Sequence, residues 1–280
     1  MGMTPFTVTA ESVRLSGTQW GDQPGEIPVV LLHGFGGASS LWEPCAQAWS
    51  PRRTVVAFDL PGHVMSAMPD YAFDRQVESI ALALRAVTAG PVHLVGYSMG
   101  ARLALALALS APACVASLVL DGCHPGIRGI DERLARRRLD EQWARLLESD
   151  PIEEFSRRWD AQPVFAAGDS ASLRDRLGET RRRHNPTLLA GSMRGAGLAA
   201  QPDLWLHLTR LTMPVLWLSG AADTKFGALA DEAVRLVPQG IRHSFPNTGH
   251  RAHLDTPQVY ARVVENFWLD TRQPLQPMTR

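Results

Sequence analysis

Five residues, Gly96-Tyr97-Ser98-Met99-Gly100, separate a short β-branched run, Pro91-Val92-His93-Leu94-Val95, from a stretch of strong helix formers over residues 101–109. The run reads as a buried strand, and the stretch as a helix that closes before Pro112. A chain that passes from strand to helix this abruptly strains the backbone at the bend. Only glycines two positions to either side let strand and helix approach closely. The fold must therefore contain a sheet whose strands feed directly into helices. The same turn lifts the Ser98 hydroxyl clear of the backbone, which makes it a candidate nucleophile rather than an ordinary turn serine.

The rest of the chain repeats that theme. Residues 29–32, 54–58, 115–120, 213–218 and, more weakly, 241–245 read as further strands, each ending in a polar or glycine-rich loop. These loops are His33-Gly34-Phe35-Gly36-Gly37, Asp59-Leu60-Pro61-Gly62-His63, Asp121, Ser219-Gly220-Ala221-Ala222-Asp223 and Pro246-Asn247-Thr248-Gly249-His250. A helix is expected over residues 258–268. Strands alternating with helices imply an α/β fold with a mostly parallel central sheet flanked by helices, and ligands in such sheets bind at the carboxyl ends of the strands. The alternation stops between Cys123 and Thr212, where polar helices carry Trp143, Trp159 and many arginines. This segment reads as an inserted helical cap. The expected organisation is a core of residues 1–122 and 213–270, a cap of residues 123–212, and a flexible tail of residues 271–280.

Composition narrows the function. With 28 basic against 28 acidic residues the net charge is zero, so no global field favours nucleic acid or an anionic membrane. No apolar run approaches the about 20 residues needed to span a bilayer, and residues 1–17 lack a basic start followed by an apolar stretch. Cys45, Cys114 and Cys123 have no metal-ligand spacing and cannot all pair, which fits a reduced cytoplasm. Neither metal nor cofactor is expected, and the oligomeric state stays open. Only Lys225 among the basic residues is a lysine, leaving guanidinium as the main anion-binding group.

A serine hydroxyl needs a histidine within hydrogen-bond reach and a carboxylate to hold that histidine's tautomer. Asp223 follows a late strand and His250 the last one, giving the chain order serine, acid, histidine. Asp121 is the alternative acid and His253 the rival histidine, while His124 could face the pocket as a substrate contact. The glycine-rich loop at residues 34–37 can turn the Phe35 amide toward the pocket, where it would form an oxyanion hole with the amide of Met99.

Together these residues resemble the α/β-hydrolase superfamily. Within it, the stretches Gly96-Tyr97-Ser98-Met99-Gly100-Ala101-Arg102, Gly122-Cys123-His124-Pro125-Gly126, Gln162-Pro163-Val164-Phe165-Ala166, Gln201-Pro202-Asp203-Leu204, Asp223-Thr224-Lys225-Phe226 and Gly249-His250-Arg251-Ala252-His253 resemble the MenH family, the 2-succinyl-6-hydroxy-2,4-cyclohexadiene-1-carboxylate synthases of menaquinone biosynthesis. The resemblance implies a lyase that eliminates pyruvate from a small polycarboxylate. It further implies that Arg102, Arg136 and Arg181 bind carboxylates, and that Tyr97, Trp159 and Phe165 line the pocket. Arg136 and Arg181 have arginine neighbours, so a shift of one residue would transfer the role. One departure stands out: the superfamily usually follows Pro-Gly-His with Gly-x-Ser, whereas here Val64-Met65-Ser66 follows. A serine hydrolase acting on an acidic ester or carbon–carbon bond, and a non-catalytic binding protein on the same fold, are the competing readings.

Overall fold

A computed structural model describes residues 2–10, 12–167 and 170–271. The strands are β1 (Met3–Ala10), β2 (Val13–Trp20), β3 (Val29–Leu32), β4 (Val55–Phe58), β5 (Val92–Tyr97), β6 (Val115–Asp121), β7 (Val215–Gly220) and β8 (Gly240–Phe245). They form one sheet in the order β1-β2-β4-β3-β5-β6-β7-β8. From β4 across to β8 every pairing is parallel, while β1 and β2 form an antiparallel hairpin added at the β4 edge.

The inner strands are apolar at nearly every position because both of their faces are covered. Val30, Leu32, Val56, Phe58 and Leu94 turn to one side, where α2 (Phe73–Val87), α3 (Met99–Ser110) and α8 (Thr224–Val234) pack. Val29, Leu31, Val55, Ala57 and Val95 turn to the other, against α1 (Glu43–Trp49) and α10 (Pro257–Asp270). Each fully buried Val or Leu contributes about 1.5–3 kcal/mol relative to exposure, so the sheet is the rigid base on which the loops at its carboxyl edge are held.

The hairpin is the part of the sheet that sequence reading missed. Ser16, Gly17, Thr18 and Gln19 give β2 a polar sequence, yet Ser16 and Thr18 are buried. Their hydroxyls are satisfied by tertiary partners: Ser16 Oγ donates to Asp59 Oδ2 at 2.7 Å, and Thr18 Oγ1 lies 3.0 Å from Ser39 Oγ.

Between β6 and β7 the chain builds α4 (Ile130–Ser149), α5 (Ile152–Asp160), α6 (Ala171–Arg182) and α7 (Pro186–Ala196). Helices α4, α5 and α7 share a small core of Ala144, Leu147, Phe155, Trp159, Leu189, Ala190 and Met193, against which Phe35 of the β3 loop also packs, while Leu173 and Leu177 of α6 pack with Leu41. Many of their arginines form surface ion pairs: Arg194 with Glu141 and Glu148, Arg145 with Glu141, and Arg157 and Arg158 with Glu154. Such exposed pairs contribute only about 0–1 kcal/mol each. A short helix, α9 (Ala252–Asp255), follows the β8 loop. The tail expected to fray lies outside the described residues except for Thr271, which ends α10.

Candidate active site

The bend at Ser98 is as tight as its sequence demands. Ser98 adopts φ 50° and ψ −109°, outside the ordinary regions for a residue with a side chain, and its N–H donates to Asp121 O at 2.8 Å. Gly100 is obligatory because a Cβ there would lie 2.5 Å from the carbonyl oxygen of His33. The serine thus sits at the N-terminus of α3 and at the carboxyl edge of the sheet.

His250 and Asp223 converge on it from the loops after β8 and β7. His250 Nδ1 is 2.6 Å from Asp223 Oδ2, and His250 Nε2 is 3.2 Å from Ser98 Oγ. With Nδ1–H donating to the carboxylate, Nε2 is left as the acceptor for the serine hydroxyl, the tautomer that proton abstraction needs. Asp223 also caps α8, accepting from Phe226 N–H. Gly122, at φ 58°, makes room for the imidazole, since a Cβ there would lie 2.6 Å from His250 Cε1. The alternatives fall elsewhere. Asp121 is fully buried beneath this group, and burial, the largest cause, raises its titration to about 7. His253 Nδ1 approaches Asp121 Oδ2 at 3.4 Å, outside hydrogen-bond geometry, and burial holds His253 well below its ordinary range.

Met99 begins α3, so its N–H is one of the donors that a helix start leaves without an intrahelical partner. Phe35 N–H likewise has no partner among the described residues. Both residues line the same cavity as Ser98.

That cavity has a volume of about 300 Å³ and is bounded by Ser98, Met99, Phe35 and His250 on the sheet side and by Trp159, Gln162, Val164, Phe165, Met193 and Leu198 from the helical insertion. Three cations reach its wall: Arg102, Arg136 and Lys225. Arg102 is buried, and it donates to the neutral carboxamide of Gln201 at 3.3 Å. Burial first, then the nearby Arg136, lowers its titration to about 10. Arg136 is tied by Nε to Asp140 at 2.7 Å, one turn along α4. His124, also on the wall, is pushed down to about 3 by burial and then by Lys225, Arg102, Arg136 and Arg128, which marks this end of the cavity as strongly electropositive.

Trp159 and Phe165 serve both as walls of the cavity and as packing for the insertion: Trp159 stacks on Phe155 at 5.5 Å between ring centroids, and Arg251 lies 3.8 Å over the Phe165 ring. Two of the expected substrate contacts, Arg181 and Tyr97, do not border this cavity. Arg181 is 1% exposed and gives both terminal nitrogens to Asp160, at 2.6 and 2.8 Å, while Arg251 shares the same carboxylate at 2.8 Å. A guanidinium stripped of water requires such a partner, and Arg181 borders a smaller void that shares Ser98, Phe35, Trp159 and Phe165 with the main cavity. Tyr97 borders that void as well, not the main cavity, with its ring 4.3 Å from His253 and 5.3 Å from His250. Sequence reading had set Lys225 apart as the sole lysine without assigning it to the pocket. The available signal was its position two residues after the acid.

A strained serine at a strand-to-helix turn, with acid and histidine delivered by the two last strands of a mostly parallel sheet, defines the class of α/β-hydrolase-fold proteins. The model of the alpha/beta hydrolase fold family matches residues 27–257. The 2-succinyl-6-hydroxy-2,4-cyclohexadiene-1-carboxylate synthase of Enterobacter sp. (strain 638) is 37% identical over 248 residues, covering 88% of this chain and 93% of its own. A protein of Bacillus subtilis described as a putative synthase of the same name is 32% identical over 273 residues, covering 95% and 98%. Among solved structures, MenH from S. aureus superposes with a TM-score of 0.86 at 26% identity, covering 91% of this chain and 98% of its own. The chain belongs to the 2-succinyl-6-hydroxy-2,4-cyclohexadiene-1-carboxylate synthase (MenH) family of the α/β-hydrolase fold.

Proposed function

We propose that this chain catalyses the family's reaction, eliminating pyruvate from 2-succinyl-5-enolpyruvyl-6-hydroxy-3-cyclohexene-1-carboxylate, with Ser98, His250 and Asp223 as the catalytic triad. The observation that carries the proposal is the cavity itself: a serine–histidine pair at its base and Arg102, Arg136 and Lys225 in its wall. The substrate bears three carboxylates, on the ring, on the succinyl chain and on the enolpyruvyl group. Each charge-assisted hydrogen bond to a guanidinium or ammonium is worth about 1.5–3 kcal/mol, enough to orient the ring and reject neutral esters.

The chemistry follows from the hydrogen bonds. His250 Nε2 takes the Ser98 proton, and the Ser98 oxygen removes the proton from ring carbon 2, which the neighbouring succinyl carbonyl acidifies. Negative charge moves onto that carbonyl oxygen, where the N–H groups of Phe35 and Met99 are donors. One such donor contributes about 3–4 kcal/mol to the transition state. The electrons return through the 3,4 double bond and expel enolpyruvate from carbon 5, giving the 2,4-diene, and the released enolate takes up a proton to become pyruvate. Water does not enter the balance, which separates this course from ester hydrolysis. In this reading residues 123–212 act as a cap over the site and the enzyme works in the cytoplasm; no helix among the described residues is long and apolar enough to cross a membrane.

The test supplies the unstable substrate, generated in place by the preceding synthase, and follows pyruvate release by wild type and Ser98→Ala. Rapid release by wild type with a loss of about 10³-fold or more in the variant is expected. Release no faster than the spontaneous rate would overturn the assignment.

A further inference from the structure

The loop after β3 is gripped by three histidines that do not border the main cavity, His33, His63 and His184, and their hydrogen bonds assign one tautomer to each. His33 Nδ1–H donates to Gly34 O at 2.7 Å while Nε2 accepts from Leu60 N–H at 2.9 Å. His63 Nδ1–H donates to Pro61 O at 3.1 Å while Nε2 accepts from Gly36 N–H at 3.0 Å. His184 Nε2–H donates to Gly36 O at 3.2 Å while Nδ1 accepts from Val64 N–H at 2.9 Å. All three are buried, and burial holds each below its ordinary titration range. Gly36 is therefore clamped at its N–H by His63 and at its carbonyl by His184, directly after Phe35.

His184 lies just beyond α6, so it ties the helical insertion to this loop. Its acceptor side depends on the residue at which the chain departs from the superfamily pattern. Val64 has φ 51°, a left-handed conformation that a β-branched residue adopts only when its surroundings enforce it. In that conformation its N–H reaches His184 Nδ1, and a histidine that accepts at Nδ1 must, when neutral, donate from Nε2.

We infer that His184 is a positioning residue for catalysis: held in one tautomer by Val64 N–H, it fixes the Gly36 carbonyl and thereby the Phe35 N–H that faces the reacting oxygen. The inference rests on the reading of Phe35 and Met99 as oxyanion donors. It concerns this chain's own loop geometry, not which substrate is bound.

Three readouts test it. In wild type, ¹⁵N shifts of the His184 ring should report a bare Nδ1 and a protonated Nε2; the opposite tautomer overturns the inference with no variant required. His184→Phe removes both hydrogen bonds, and His184→Gln retains a donor for Gly36 O. The Phe variant should slow phosphonylation of Ser98 by a fluorophosphonate, and kcat for pyruvate release, by about 10- to 100-fold with little change in KM. Amide hydrogen exchange over residues 34–37 should quicken, and the Gln variant should recover most of both losses. Unchanged rates in the Phe variant, equal losses in both variants, or lost activity without faster exchange at residues 34–37 would each overturn it. If wild-type Ser98 reacts with the fluorophosphonate but no pyruvate appears, the substrate assignment fails, while phosphonylation and exchange still decide the role of His184.

Discussion

Replacing Arg102 by methionine should make the free protein more stable and the enzyme worse. Arg102 is 8% exposed, and its guanidinium faces the neutral Gln201 carboxamide at 3.3 Å and has the like charge of Arg136 nearby. Its titration falls to about 10, which means folding disfavours its charged form. That displacement corresponds to on the order of 3 kcal/mol. For a base lowered in this way the destabilisation is complete at every pH below about 10 and fades only as pH rises through that value toward the ordinary guanidinium range. It is therefore fully present at neutral pH. Methionine removes the charge while keeping most of the apolar stem, at a loss of about 1 kcal/mol for the bond to Gln201. The net gain of about 2 kcal/mol should raise the melting temperature by roughly 3–4 °C for a chain of this size. The same substitution removes a charge-assisted contact to a substrate carboxylate, so kcat/KM should fall by roughly 10- to 150-fold. Differential scanning calorimetry and pyruvate release measure the two effects on one sample. A melting temperature that drops by several degrees would show that Arg102 is compensated in the free protein. An unchanged kcat/KM would refute its place in substrate binding.

Asp160→Asn leaves Arg181 and Arg251 buried without their shared carboxylate and should cost about 3–5 kcal/mol, read from the urea midpoint. Burial alone would raise the Asp160 titration, but the two guanidiniums overrule it and hold the carboxyl below its ordinary range; its contribution is present above about pH 4 and disappears as pH falls through the depressed value. Asp121 behaves oppositely: because its folded-state titration rises to about 7, wild type should lose stability between about pH 4 and 7, and Asp121→Asn should be the more stable above that window by on the order of 4 kcal/mol. Parallel stability curves for the two proteins across this window would contradict that expectation. Lys225→Ala should raise KM by about 10-fold with kcat nearly unchanged, as loss of a contact common to ground and transition states requires; a pure kcat effect would assign the lysine to the chemistry instead.

The sheet and the serine turn were legible in the sequence because both depend on local rules. Strands covered on two faces must be apolar throughout, as residues 29–32 and 92–95 are, and a strand-to-helix bend needs the glycines that flank Ser98. The order serine, acid, histidine carried the same information forward to Asp223 and His250, because strand ends in such a sheet share one edge. What stayed hidden depends on contacts between residues far apart in the chain. The polarity of β2 concealed a strand because its serine and threonine find partners in Asp59 and Ser39 only after folding. Arg181, Arg182 and Arg183 are chemically identical in sequence; the approach of Asp160, 21 residues away, consumes the first. Arg102 and Lys225 reach the cavity wall without a carboxylate partner among the described residues, a difference that no reading of the sequence around them reveals. The sequence by itself determined the chain's class and the strained serine turn, since backbone sterics and burial periodicity act over a few residues. Only the tertiary structure decided which charges are neutralised internally and which face the cavity, since charge pairing acts through space rather than along the chain.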